Sequence, residues 1–184
     1  MKKSLKGIIF IFLISFYFFK IEQVQSFVPY YYFPTKKNLR NESLSISKYA
    51  YQLLYFGQLQ ESLNLAKLAV TIDKRNEKLW LILSEAQVAN KLYKNALISL
   101  SKAKKINPKI SEIYFAESNI FLKISQVQNA KNTLKLGLTI QPNNHKAIFQ
   151  LGNIFLMKKN YYEAIKLFDK STKIKPDFWQ AINN

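Results

Sequence analysis

The chain has 184 residues, no cysteine, and 28 lysines and arginines against 11 aspartates and glutamates, a formal charge of +17. The missing cysteine excludes disulfide and thiol chemistry. The charge points to an acidic partner, nucleic acid or anionic lipid. Equally, it reads as the product of an A- and T-rich genome, since Lys, Asn, Ile, Phe and Tyr abound and only 4 glycines occur.

In chain order, Lys2, Lys3 and Lys6 precede an uncharged run over residues 7–19 that closes at Lys20. Such a run spans about 20 Å as a helix, against a hydrocarbon core of about 30 Å. That length suits a secretory signal, with Val24, Gln25 and Ser26 before a cut at Phe27. Alternatively, Leu5, Ile21 and a snorkelling Lys20 stretch the run into an anchor, so that residues 5–21 contact the membrane. Both readings of residues 1–21 stay open. Either makes the chain membrane-anchored or exported, and the leading lysines put the rest of the chain on the non-cytoplasmic side. Lys36, Lys37 and Arg40 weigh against that orientation.

Residues 22–42 read as a linker: Pro29 and Pro34 bracket the aromatic residues 30–33, and no helical periodicity is evident. Those aromatics either rest at a membrane interface or dock into the first repeat.

From residue 43 the chain becomes periodic. Pro108, Pro142 and Pro176 stand 34 residues apart, as do Ala96, Ala130 and Ala164. This period marks stacked copies of a two-helix unit that cannot bury its apolar face alone. The boundaries fall at 43–76, 77–110, 111–144 and 145–178, about three quarters of the chain without insertion or deletion. Ala50, Ser84, Ser118 and Gly152 form one small-residue column, and Ser62 with the three alanines forms another; both mark close helix approach. Leu83, Leu151, Leu100 and Phe168 fill the space between helices. Each proline stops a second helix, and Gly57 and Asn160 sit near the turns within pairs. Lys74 replaces the first proline, and Glu117 occupies a column held by leucine elsewhere; a lysine partner is expected for that carboxylate.

The last repeat runs Ile148, Leu151, Gly152, Phe155, Ala164, Phe168, Pro176. It resembles the tetratricopeptide pattern W-x2-L-G-x2-Y, A-x3-F and a closing proline. The same columns recur in the copies at Tyr114 and Trp80, and a weaker copy begins at Ile46. The resemblance implies an all-α, right-handed superhelical solenoid of about four helix-turn-helix repeats. It also implies a non-enzymatic protein-interaction module, a scaffold or assembly factor, that binds an extended or helical partner segment in its concave groove.

In that family the first helix of each pair lines the groove. Here this selects Ser47, Tyr51, Leu54 and Tyr55, then Lys78, Leu81, Glu85 and Val88, then Glu112, Phe115, Asn119 and Leu122, and finally Lys146, Phe149, Asn153 and Met157. The candidate partner-binding residues are Tyr51, Tyr55, Leu81, Glu85, Phe115, Asn119, Phe149 and Asn153. The aligned Asn119 and Asn153 resemble asparagines that hold a peptide backbone in some family members. The column that carries the key lysine of carboxylate-clamp relatives holds Ser47, Leu81, Phe115 and Phe149, so such a clamp is not expected.

No catalytic, cofactor or metal site is expected. His145 is the one histidine, at a repeat junction where solvation is expected, and no Gly-rich phosphate loop or metal-ligand spacing occurs. The rival function is RNA binding by the repeats, which hold 21 basic and 9 acidic residues. Against nucleic acid, the lysines are spread over both helices and the turns. After Pro176, residues 179–184 begin a truncated repeat or cap at Trp179 and Ile182. An uncapped end would leave Phe168 and its neighbours partly exposed, favouring self-association.

Overall fold

The computed structural model describes residues 36–178. The apolar run 7–19, the aromatic residues 27–33 and the closing Trp179 and Ile182 lie outside the described residues. The signal, anchor and truncated-repeat expectations lie there with them.

Among the described residues there are eight helices and no strand: α1 (Lys36–Tyr55), α2 (Leu59–Ile72), α3 (Glu77–Ala89), α4 (Tyr93–Ile106), α5 (Ser111–Lys123), α6 (Val127–Ile140), α7 (His145–Met157) and α8 (Tyr161–Ile174). Helix α1 opens at Lys36, so the last stretch of the expected linker is helical. Nothing between Lys36 and Glu42 breaks a helix, because both linker prolines stand earlier. First helices then start at Glu77, Ser111 and His145, and second helices at Leu59, Tyr93, Val127 and Tyr161, each step being 34 residues.

The turn inside each pair is a Schellman cap. Gly57, Lys91, Ser125 and Lys159 all have φ between +59° and +76°. The next residue's N–H reaches back to the fifth carbonyl before it, as in Leu92 N to Gln87 O (2.8 Å) and Gln126 N to Phe121 O (2.8 Å). Only Gly57 adopts this conformation without steric cost. In the last pair the left-handed residue is Lys159, whereas Asn160 serves as N-cap, its side chain accepting from Glu163 N.

The turn between pairs is set differently. Helices α4, α6 and α8 end at isoleucines two residues before Pro108, Pro142 and Pro176. Helix α2 ends in the same register before Lys74, and the preceding Asp73 has φ −135° and ψ 90°. Asn107 (−143°, 98°) and Lys175 (−137°, 94°) hold the same conformation before their prolines. The first aromatic residue of α3 and of α5 pins this turn: Trp80 Nε1 donates to Lys74 O (2.9 Å), and the Tyr114 hydroxyl to Pro108 O (2.9 Å).

Helices pack in sequence, α3 on α4, α5 on α6 and α7 on α8 within pairs, and α2 on α3, α4 on α5 and α6 on α7 between them. From Leu39 onward the described residues form one compact unit, an all-helical repeat solenoid. Leu79, Leu100, Ile113, Ile120, Leu134, Ile148 and Ile154 are fully buried, each contributing about 1.5–3 kcal/mol of apolar transfer. Paired helices cross at small residues: Ala50, Ser62, Ser84, Ala96, Ser118, Ala130, Gly152 and Ala164 are all buried. Ser62 Oγ donates across the crossing to Ala50 O (2.7 Å) and Ser118 Oγ to Ala130 O (2.9 Å). Glu117 is paired with Lys104 from the preceding second helix, as expected for a half-buried carboxylate.

Phe168 is only 5 % exposed, contrary to the expected open end. Its ring occupies the space over Gly152, where a Cβ would stand 2.5 Å from Phe168 Cε1, and it packs on Phe149 at 5.3 Å. In α3 and α5 a serine takes the place of Gly152, and the facing residue is Leu100 or Leu134. In these three pairs the crossing thus keeps summed volume nearly constant, glycine with phenylalanine and serine with leucine, whereas the first pair has Ala50 and Ala66 in these columns.

Lys74→Pro is expected to stabilise the protein by about 0.4–1 kcal/mol, because the Asp73 backbone before it already holds the conformation that precedes Pro108 and Pro176, and the carbonyl that Trp80 uses is retained. Chemical denaturation of the two proteins checks this; a loss of stability would contradict the turn geometry. Gly152→Ala is expected to cost about 1–3 kcal/mol by overpacking, and adding Phe168→Leu should recover much of it. A double-mutant cycle showing simple additivity would refute the volume coupling.

Candidate functional site

Sequence and resemblance together select the face built from α1, α3, α5 and α7. The structure divides this face into an open stretch and a closed one.

The open stretch comes first. Tyr51 and Tyr55, four residues apart on α1, are 55 % and 86 % exposed, and Tyr55 meets Phe56 edge-on at 5.6 Å. Ser47 does not join them: it is fully buried, and its hydroxyl donates to Leu44 O (2.8 Å). On α3, Leu81 is half-buried and lines a crevice of about 390 Å³ with Glu77, Lys78, Ile110, Glu112 and Ile113. Glu85 follows one turn later on the same side of α3 and is also half-buried. Burial pushes its carboxyl above the usual carboxylate range.

Beyond α3 the face closes on itself. Phe115 is half-buried against α6, where Gly137 leaves room for the ring; a Cβ there would lie 2.5 Å from Phe115 Cε1. Asn119 is exposed, and its Oδ1 accepts from Gln150 Nε2 of the next pair. Phe149 lies between Phe168 and Phe178, with ring centroids at 5.3 and 5.2 Å. Asn153 is half-buried one turn further along α7. The two phenylalanines are thus committed to packing, and one asparagine of the expected ladder is engaged within the protein.

The repeat pattern does not single out Ile110 and Ile113, yet they form the apolar wall of the crevice. Ile110 stands where Asn76 and Asn144 cap their helices with side-chain acceptors, and it supplies no cap bond. That departure from the capping column is the signal that marks it.

His145 is not the solvated residue expected at a junction. Its Nε2 is sealed from solvent without a hydrogen-bond partner, and its ring meets Phe178 edge-on at 4.9 Å. Desolvation, aided by Lys175 and Lys146, holds its pKa below the ordinary histidine value. The unfolded chain therefore takes up a proton near pH 6.5 before the folded one does. The stabilising effect is complete above that pH and is lost as pH falls through it. Between about pH 7.5 and 5.5, on either side of the free imidazole's midpoint, the wild-type melting temperature is expected to fall more than that of His145→Gln. Parallel profiles would contradict the desolvated Nε2.

Residues 145–178 match the family model of the tetratricopeptide repeat, and the fold is that of solved tetratricopeptide proteins. TTC0263, a thermophilic tetratricopeptide protein of Thermus thermophilus, superposes with a TM-score of 0.70 at 19% identity, covering 77% of this chain and 78% of that one. YrrB, described as a tetratricopeptide protein with an unusual peptide-binding site, superposes with a TM-score of 0.64 at 19% identity, covering 77% and 73%. In sequence, the chain is 24% identical over 129 residues to the mouse (Mus musculus) protein O-mannosyl-transferase TMTC1. That match spans 68% of this chain but only 14% of the transferase. At these identities the likeness shows the fold.

Proposed function

We propose that all four helix pairs are tetratricopeptide repeats and that the protein is a non-enzymatic interaction module, a scaffold or assembly factor. It holds an extended or helical segment of a partner protein against the first-helix face. The observation that carries this reading is the open stretch itself. Tyr51 and Tyr55 are exposed, and Leu81 borders a crevice that the protein's own packing leaves unfilled. Such a combination of exposed aromatics and a preformed apolar pocket is what a peptide anchor requires. The peptide-binding site named for YrrB supports the same use of the fold.

The N-terminal lysines and the apolar run 7–19 support membrane targeting or anchoring, with the repeats on the non-cytoplasmic side. Tyr161, Tyr162 and Ile165, exposed on α8, are the residues through which self-association would occur.

Affinity capture with the full chain tests the proposal. A partner retained at about 1 M salt, where surface electrostatics are screened beyond about 3 Å, and lost with Leu81→Asp is the expected result. Capture of RNA that salt releases, unaffected by Leu81→Asp, would instead favour nucleic-acid binding by the basic surface.

A further inference from the structure

The acidic residues of this chain are scarce, and their placement is uneven. Against a formal charge of +17, three glutamates, Glu77, Glu85 and Glu112, lie on the first-helix sides of α3 and α5, at or next to the apolar crevice. Lys78 is the one cation that lines it. Two carboxylates elsewhere are neutralised internally, Glu117 by Lys104 and Asp169 by Lys173. Glu77 and Glu85 have no side-chain ion pair or hydrogen bond among the described residues, and Glu112 accepts from the Ser111 hydroxyl alone (3.1 Å).

We propose that this stretch takes a basic segment of the partner protein, seating an apolar side chain in the Leu81–Ile110–Ile113 crevice and a neighbouring lysine or arginine on Glu85. The assignment rests on the groove reading and names the chemistry of its occupant. Glu85 is half-buried without a counter-ion, so its desolvation is uncompensated until a cation arrives, and ion pairs gain most where water is already displaced. The upward displacement of its pKa by burial is the same cost seen from the proton's side. Tyr51 holds the register position of Glu85 on the preceding first helix and is exposed; an exposed aromatic face is itself a favourable contact for an ammonium or guanidinium. Spacing agrees as well, since Leu81 and Glu85 are four residues apart, a rise of about 6 Å along α3. Alternate side chains of an extended chain are separated by about 6.5 Å. A segment lying along α3 as apolar-any-basic therefore meets both groups. The acidic partner suggested by net charge alone would bring its carboxylates onto these glutamates.

Fluorescence anisotropy with the full chain decides the matter, using three labelled short peptides matched in length and leucine content that carry lysine, alanine or glutamate beside the leucines. The lysine peptide is expected to bind about tenfold more tightly than the alanine peptide. Glu85→Gln should bring the two within about twofold, while Leu81→Asp abolishes binding of both. Equal binding of lysine and alanine peptides, both lost with Leu81→Asp, overturns the basic-segment assignment and leaves the groove reading standing. Tightest binding of the glutamate peptide, or a lysine preference untouched by Glu85→Gln, also overturns the assignment. If none of the three binds, both readings fail.

Discussion

Everything in this array depends on how closely two helices of a pair can cross. Each crossing is made where small side chains face one another, Ala50 with Ser62, Ser84 with Ala96, Ser118 with Ala130 and Gly152 with Ala164, all buried. With so little side-chain volume between them, the backbones come near enough for hydroxyls to bridge to facing carbonyls, as Ser62 and Ser118 do. Those bonds satisfy polar groups in a region closed to water, where an unpaired hydroxyl or carbonyl would cost about 1–3 kcal/mol. The large residues then close around the crossing, and the first helices come to lie on one side of the array. The candidate groove is a by-product of that close approach.

Much of the architecture was legible in the sequence because the crossing leaves a periodic trace. Alanine, serine and glycine recur at fixed columns, and the prolines mark each second-helix end. The trace is nonetheless incomplete as physics. Lys74 lacks the ring of Pro108, yet α2 stops in the same register, since the Asp73 backbone and the Trp80 indole set the turn. Likewise, of the left-handed turn residues Gly57, Lys91, Ser125 and Lys159, only the first is glycine. A turn held by backbone and side-chain bonds on both sides tolerates an unfavourable residue that a sequence pattern would penalise.

The site is harder to read than the fold, for a definable reason. Register says which side of a helix a residue occupies but not what the opposing helix withholds. Phe115 sits in a groove column, yet the missing side chain at Gly137 gives its ring a place to pack. Phe149 is drawn into the ring cluster of Phe168 and Phe178, and Phe178 also packs edge-on against His145. Conversely, Ile110 and Ile113 lie in columns reserved for capping and core, and they become a crevice wall only because α3 and α5 stand side by side. Exposed Tyr51 and Tyr55, along with Leu81 and Glu85, stay where the pattern puts them because no neighbour offers them a cavity.

The bonds that join successive pairs have a consequence for how the molecule responds to tension. Asn90 to Leu59, Gln150 to Asn119 and Lys158 to Gln128 each span 30 or 31 residues, less than one repeat. None of these junction bonds skips a neighbouring pair, so a load applied along the array is carried through each junction in series. Such a chain yields at its weakest link and lengthens in steps, while the pairs on either side keep their shape. Pulled from its two ends, the array of helix pairs would act as a compliant spring instead of a rigid post.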